Sequence, residues 1–380
     1  MQGINKEGDF MIVKNNYNEC ITNLACSIRK YFGLDYKHST LSDIDSLLEE
    51  YKPKNVVVML FDGMGSRILR RTLEDDDFFI KYMDREITSV FPATTTAATT
   101  SIRTGLNPVE HGWLGWNMYI KPIDKIITLF LNKEKGTEEI CNEFLEVKNK
   151  LASKTIVDEI NERGEDEALE LFPFPVDRTT LYSGLDDMLL RIKEECKKSG
   201  RRYIYAYDDE PDHTMHEYGP DHWKSKELIA ERSYKVGKLC EELEDSLVIV
   251  IADHGHIKCN NIFLKDYPDF MKMIIKSTSL EQRAVSFRVK DEYKDIFVEE
   301  FNKLFGSDFR LFSSSDVISS KLFGDGEENE LFRDAVGDYI AISCDSNKCL
   351  VSDGDEILVS QHAGYTDDEV YIPLIKVLKK

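Results

Sequence analysis

Three stretches of the chain are apolar at nearly every position: Asn55 to Phe61 (NVVVMLF), Tyr203 to Tyr207 (YIYAY) and Ser246 to Ala252 (SLVIVIA). A strand that is hydrophobic on both faces suits the middle of a parallel sheet covered by helices. Apolar residues at helical spacing predict helices over Ile21 to Tyr31, Leu41 to Leu48, Asp186 to Lys197 and Glu227 to Glu244, with Ser42 or Thr40 placed to cap the second. Further on, Arg283 to Val289 reads as a strand, Tyr293 to Phe305 as a helix and Asp308 to Phe312 as a short strand. Tyr339 to Ser343 and Cys349 to Val351 read as a late strand pair, Glu327 to Asp334 as a charged loop or turn, and Val370 to Leu374 as a terminal strand. The pattern predicts an α/β fold: an N-terminal helical segment over 1–50, a core over 51–264 and 341–380, and a small inserted α+β lobe over 265–340, a candidate cap. Residues 1–15 are polar and irregular, as in a loosely held leader.

Each apolar strand runs into polar residues. The first ends in Asp62-Gly63-Met64-Gly65, and α/β folds place binding groups at the C-terminal ends of their strands. The second leads to Asp212 and His216, four apart and therefore on one face of a helical turn, with Pro211 suited to its first position. The third ends in Asp253-His254-Gly255-His256, and a further polar cluster, Gln361-His362-Ala363-Gly364-Tyr365, precedes the terminal strand. Between the first two strands lies Thr88 to Gly112, where Phe91-Pro92 marks a turn, Thr94 to Thr96 follow it, and Ala97 to Ile102 read as the first turns of a helix that stops near Gly105. A hydroxyl there sits at the positive end of a helix, where free N–H groups favour an alkoxide or a bound phosphate; the plainer role for such a hydroxyl is capping. Trp113 and Trp116 lie beside this stretch, suited either to a core or to a pocket wall.

Composition narrows the chemistry. Hydrophobic residues make up 42% and charged residues 31%, and the formal net charge is −21. That balance argues against a partner whose affinity rests on Lys and Arg, whether a nucleic acid polymer or an anionic membrane. An anionic small molecule remains compatible, because a metal site reverses the local field. No basic-then-apolar leader and no membrane-length apolar run stands out, and the eight cysteines show no CxxC spacing. The expectation is a cytoplasmic protein with reduced thiols.

Asp62, Asp212, His216, Asp253, His254 and His362, with Thr95 or a neighbouring hydroxyl, make a ligand set for two divalent cations. Asp212, His216 and His362 would hold one; Asp62, Asp253, His254 and the Thr oxygen would hold the other. Mixed imidazole and carboxylate ligation suits Zn²⁺ best, with Mn²⁺ or Fe²⁺ as alternatives. Such a pair could lower the pKa of the hydroxyl and stabilise both ends of an in-line displacement at phosphorus.

The motifs FDGMG (61–65), FPATTTAATTSIRTG (91–105), EHG (110–112), EPDHTMH (210–216), ADHGH (252–256) and QHAGY (361–365) agree in type and order with one family. Over about residues 55–375 the sequence resembles the type I phosphodiesterase/nucleotide pyrophosphatases of the alkaline phosphatase superfamily. The resemblance implies an alkaline-phosphatase-like three-layer α/β/α sandwich, two zinc ions and a covalent phospho-threonine intermediate. Carried onto this sequence, it implies Thr95 as nucleophile, one zinc on Asp212, His216 and His362, and the other on Asp62, Asp253 and His254. His213, His222 and His256 match no ligand position and are expected behind the ligands or at the surface. The implied substrate is a small phosphodiester or nucleotide pyrophosphate. Phosphomonoesterase, phosphonate hydrolase and phosphomutase are alternatives on the same site, and a non-catalytic binding protein of this fold is the rival from another class.

Overall fold

A computed structural model of the chain describes residues 15–152, 154–176 and 178–380; the expected leader falls almost wholly outside them. The main sheet has seven strands, in the order Met83–Thr88, Tyr371–Lys379, Ser246–Ile251, Asn55–Phe61, Arg202–Asp208, Glu167–Phe172 and Thr180–Leu181. The Asn55–Phe61 strand lies in the centre and runs parallel to both neighbours, with Val57 opposite Ile204 on one side and Val248 on the other. Every residue of these three strands is buried, as expected for central strands covered on both faces. Only Tyr371–Lys379 and Met83–Thr88 bring antiparallel pairing to this sheet. The result is the mixed α/β architecture expected from the apolar runs. Burial of side chains such as Val57, Met59, Leu60, Ile204 and Val248 stabilises it, each by roughly 1.5–3 kcal/mol relative to an exposed position.

Parallel order places three polar turns side by side. Asp62, the segment from Asp208 to Asp212, and Asp253 all follow the C-terminal ends of adjacent strands. Gly65 and Gly255 allow two of these turns to touch: a Cβ on Gly65 would lie 2.6 Å from the Gly255 Cα.

The second sheet is also seven-stranded, and wholly antiparallel: Arg310–Ser313, Tyr339–Ile342, Ala284–Phe287, Ser279–Leu280, Asn117–Ile120, Lys125–Thr128 and Lys133–Glu134. It extends beyond the lobe expected over 265–340, because Leu280 pairs with Asn117 and recruits the strands after the Thr-rich stretch. Tyr339–Ile342 and Lys348–Val351 are not a pair, contrary to expectation. The first joins this sheet, whereas the second pairs in parallel with Asn260–Phe263. Phe332–Val336 is a short helix inside the segment expected as a charged loop, because Phe332, Ala335 and Val336 supply an apolar face that is buried. Helix ends differ by a few residues. Thr40 does not cap the second helix (Ser42–Tyr51); its hydroxyl donates to Asp45 instead. Pro211 is the residue before the Asp212–Tyr218 helix rather than its first. Among the described residues, no helix is long and apolar enough to cross a membrane.

Candidate metal centre and nucleophile

Thr95 is the first residue of the Thr95–Thr104 helix, which Gly105 ends in a left-handed conformation. Thr94, before it, does not use its side chain to cap the helix. Its hydroxyl donates instead to Glu281 Oε1, at 2.6 Å. The first N–H groups of the helix therefore stay unclaimed by that cap, at the end where an anion is favoured. Thr95 Oγ1 lies 3.2–3.3 Å from both carboxylate oxygens of Asp62 and 3.2 Å from His254 Nε2.

The six metal-ligand candidates fall into two groups. Asp62, Asp253 and His254 form one, fully buried. Asp212, His216 and His362 fall in the other, together with His256. The His254 and His362 rings stack with centroids 3.8 Å apart, so the two groups adjoin. His256 was expected outside the ligand group, yet it has no exposed surface and its Nε2 meets Asp212 Oδ1. His213 is exposed and lines the adjoining cavity, and His222 accepts from the Lys224 N–H at a helix start; neither is in the two groups of converging ligand atoms.

Hydrogen bonds fix the direction in which three imidazoles face. The Nδ1–H of His216 donates to the Ser360 carbonyl (2.8 Å), that of His254 to the Gly255 carbonyl (3.1 Å) and that of His362 to the Ala93 carbonyl (3.2 Å). A carbonyl only accepts, so each ring is protonated at Nδ1 and carries its lone pair on Nε2. Asp253 Oδ1 accepts from the Gly63 and His254 N–H groups, both at 3.0 Å, whereas its Oδ2 is buried without any hydrogen-bond partner.

Charge burial is severe at this centre. Burial, followed by the Asp212 charge, pushes the Asp62 carboxyl well above the usual carboxylate range; burial and the Asp62 charge do the same for Asp253. Burial also pushes Asp212 up, but His216 and His256 outweigh it and hold the carboxyl well below that range. Burial with neighbouring imidazoles pushes His362 far down. Carboxylates and neutral imidazoles brought together without water are the donor set of a metal centre.

The centre opens onto a cavity of about 750 Å³ whose lining includes Thr94, Thr95, Trp116, Asn117, Glu281 and His362. Of the two tryptophans, Trp113 joins the core and Trp116 the cavity wall. Three polar residues at the site were missed in the sequence. Tyr207 donates its hydroxyl to Asp62 Oδ2, and its place at the end of a central strand beside Asp62 was a usable signal. Asn117 reaches the cavity, with its Oδ1 accepting from Thr128. Glu281 has no local motif around it; it arrives through the pairing of Leu280 with Asn117.

The model of the type I phosphodiesterase/nucleotide pyrophosphatase family matches residues 56–162 and 175–344. No curated protein matches the chain. Among solved structures, the chain is similar to human ectonucleotide pyrophosphatase/phosphodiesterase 5, with a TM-score of 0.64 and 18% identity over 84% of this chain and 87% of that one. It is also similar to the murine form, solved as an inactive threonine-to-alanine variant in complex with AMP, with a TM-score of 0.63 and 19% identity over 84% and 87% of the two chains. With its two ligand groups at the ends of adjacent strands and most of its length within the family match, the chain belongs to the type I phosphodiesterase/nucleotide pyrophosphatase family, metal-dependent hydrolases acting on phosphoric ester bonds.

Proposed function

We propose that the chain hydrolyses a small phosphodiester or nucleotide pyrophosphate through a covalent phospho-Thr95 intermediate at a two-metal centre. The observation that carries this reading is Thr95 Oγ1 at a helix N-terminus, within 3.3 Å of Asp62 and His254. The residues fit two cations. Asp253 Oδ2 is buried without a hydrogen-bond partner, and the Nε2 lone pairs of His216, His254 and His362 belong to groups whose ligand atoms converge. Asp212, His216 and His362 would hold one ion; Asp62, Asp253, His254 and the Thr95 oxygen would hold the other. Zn²⁺ suits this donor set best, with Mn²⁺ or Fe²⁺ as alternatives. Bound dications would supply Lewis-acid stabilisation of charge on the phosphate and leaving oxygens, and would favour the ionised hydroxyl.

The chain's own groups position the reaction. Asp62 and the helix start hold Thr95 Oγ1 facing the cavity. Thr95 Oγ1 gives up its proton to solvent and bonds to phosphorus, and the bond from phosphorus to the leaving oxygen breaks in line, its electron pair staying on that oxygen, which takes a proton from solvent where it needs one. Water then cleaves the phospho-Thr95 ester and restores the hydroxyl, so one water is consumed per bond broken. The inactive threonine variant and the AMP of the murine neighbour support a threonine nucleophile and a nucleotide-like ligand.

The test compares kcat/KM for bis-p-nitrophenyl phosphate and p-nitrophenyl phosphate on zinc-loaded protein, with EDTA removal and zinc re-addition as the control. A diester preference that is lost with EDTA and recovered with zinc is expected. A strong monoester preference would overturn the diester reading, and full activity in EDTA would overturn the metal centre.

A further inference from the structure

Ser360 determines which nitrogen of His256 carries the proton. Its hydroxyl lies 2.6 Å from the Met215 carbonyl and 2.9 Å from His256 Nδ1. A carbonyl cannot donate, so the single hydroxyl proton of Ser360 goes to Met215. Ser360 Oγ can then only accept from His256, which places the His256 proton on Nδ1 and a lone pair on Nε2. That lone pair faces Asp212 Oδ1. Two acceptors facing each other call for a shared cation, either a second ring proton or a metal ion, and the convergence of the neighbouring ligand atoms favours the metal.

A purely supporting role for His256 would have its Nε2–H donate to Asp212. That tautomer leaves Nδ1 bare against an oxygen whose only proton is committed elsewhere, so without a metal only a doubly protonated ring closes the hydrogen bonds. The same Ser360 also orients His216, through its backbone carbonyl. The ligand atoms of Asp212, His216, His256 and His362 all lie within 4.8 Å of one another. Gly63 keeps the group tight: a Cβ there would sit 3.0 Å from His256 Cδ2 and 3.1 Å from Asp212 Cβ.

From this geometry we infer that His256 is a direct metal ligand, making this site a three-histidine, one-aspartate site rather than the two-histidine, one-aspartate site implied by the family pattern. The inference rests on the two-metal reading above. Four protein ligands fill a tetrahedral shell, so a substrate oxygen would enter as a fifth ligand.

The test uses the full chain loaded with Co²⁺ and labelled with ¹⁵N-histidine, observed by proton NMR in H₂O. Each ligating imidazole in this centre carries an exchangeable Nδ1–H, which the paramagnetic ion shifts strongly. Four shifted imidazole N–H signals are expected, from His216, His254, His256 and His362, and His256→Gln should remove one. Three shifted signals in the wild type would overturn the inference and leave the two-metal reading standing. Fewer than three would overturn both. A zinc-loaded crystal structure gives an answer independent of any variant. A His256 Nε2–Zn distance of about 2.0–2.1 Å is expected; zinc at both sites with this nitrogen beyond bonding distance overturns the inference.

Discussion

Arg283 and Glu369 form a bidentate ion pair in which neither side chain has any exposed surface. Arg283 Nε lies 2.6 Å from Oε1, and a second guanidinium nitrogen lies 2.9 Å from Oε2. The remaining capacity is used too. Arg283 donates to the Ser346 and Lys348 carbonyls, while Glu369 accepts from the Gly364 N–H and the Thr366 hydroxyl. The pair joins the second sheet to the segment that carries His362, and the Glu369 carbonyl accepts from Gly255, between His254 and His256. Removing one partner leaves a buried charge. Arg283→Met or Glu369→Leu should each cost about 3–5 kcal/mol, and combining them should recover a large part of the loss. Chemical denaturation of the three variants checks this; single variants within about 1 kcal/mol of wild type would mean that the pair does not anchor the site.

Thr95→Ala should lower kcat by at least about 10³-fold, as expected on losing a covalent nucleophile. Metal content should stay near wild type, since Asp62, Asp253 and His254 remain. Thr95→Ser should retain part of the activity. Rapid quench followed by peptide mass spectrometry should locate phosphate on Thr95. Phosphate on Thr94 or Thr96, or an active Thr95→Ala protein, would move the nucleophile.

The central strands and the polar turns after them were legible because the evidence for each is local. A continuous apolar run such as Ser246–Ile251 is followed at once by Asp253 and His254. The second sheet was read less well. Ser279–Leu280 is only two residues long, and its partner Asn117–Ile120 lies far away in the chain, so no local pattern marks the pairing. Glu281 enters the site through that pairing. Tyr339–Ile342 and Lys348–Val351 are neighbours in sequence, which suggests a hairpin, but strand partners are chosen in three dimensions. His256 stood in plain view beside His254; what placed it in the ligand group was a serine more than a hundred residues onward.

Glu281 offers a pH-dependent control of substrate binding. Burial pushes its carboxyl up to about 7, opposed by hydrogen bonds from Thr94 and the Trp116 N–H. It lines the cavity beside Thr95. As pH rises through about 7 the carboxylate forms and repels an anionic phosphate ester, so this group should make kcat/KM fall. Glu281→Gln keeps an acceptor for Thr94 and Trp116 but cannot ionise. Its profile should lack that fall while metal content is unchanged. The same fall in both proteins would assign the ionisation elsewhere.

His111 should set part of the acid sensitivity of folding. It is fully buried, its Nδ1 accepts from the Trp113 N–H at 3.0 Å, and its Nε2 lies 3.1 Å from Ser101 Oγ. An imidazole that accepts at one nitrogen must be neutral there. Burial pushes its pKa from 6.5 to about 3, opposed by the Ala97 carbonyl. In the unfolded chain the ring takes up a proton near the ordinary histidine pKa, while the folded chain refuses it until about 3. The unfolded state therefore binds more protons throughout that interval, and stability must fall as pH drops from about 6.5 towards 3. With each pKa unit worth about 1.4 kcal/mol, the contribution is at most about 5 kcal/mol. Denaturant midpoints between pH 7 and 4 should decline less steeply in His111→Gln than in wild type, even if the variant is less stable at pH 7. Parallel declines would show that His111 titrates alike in both states.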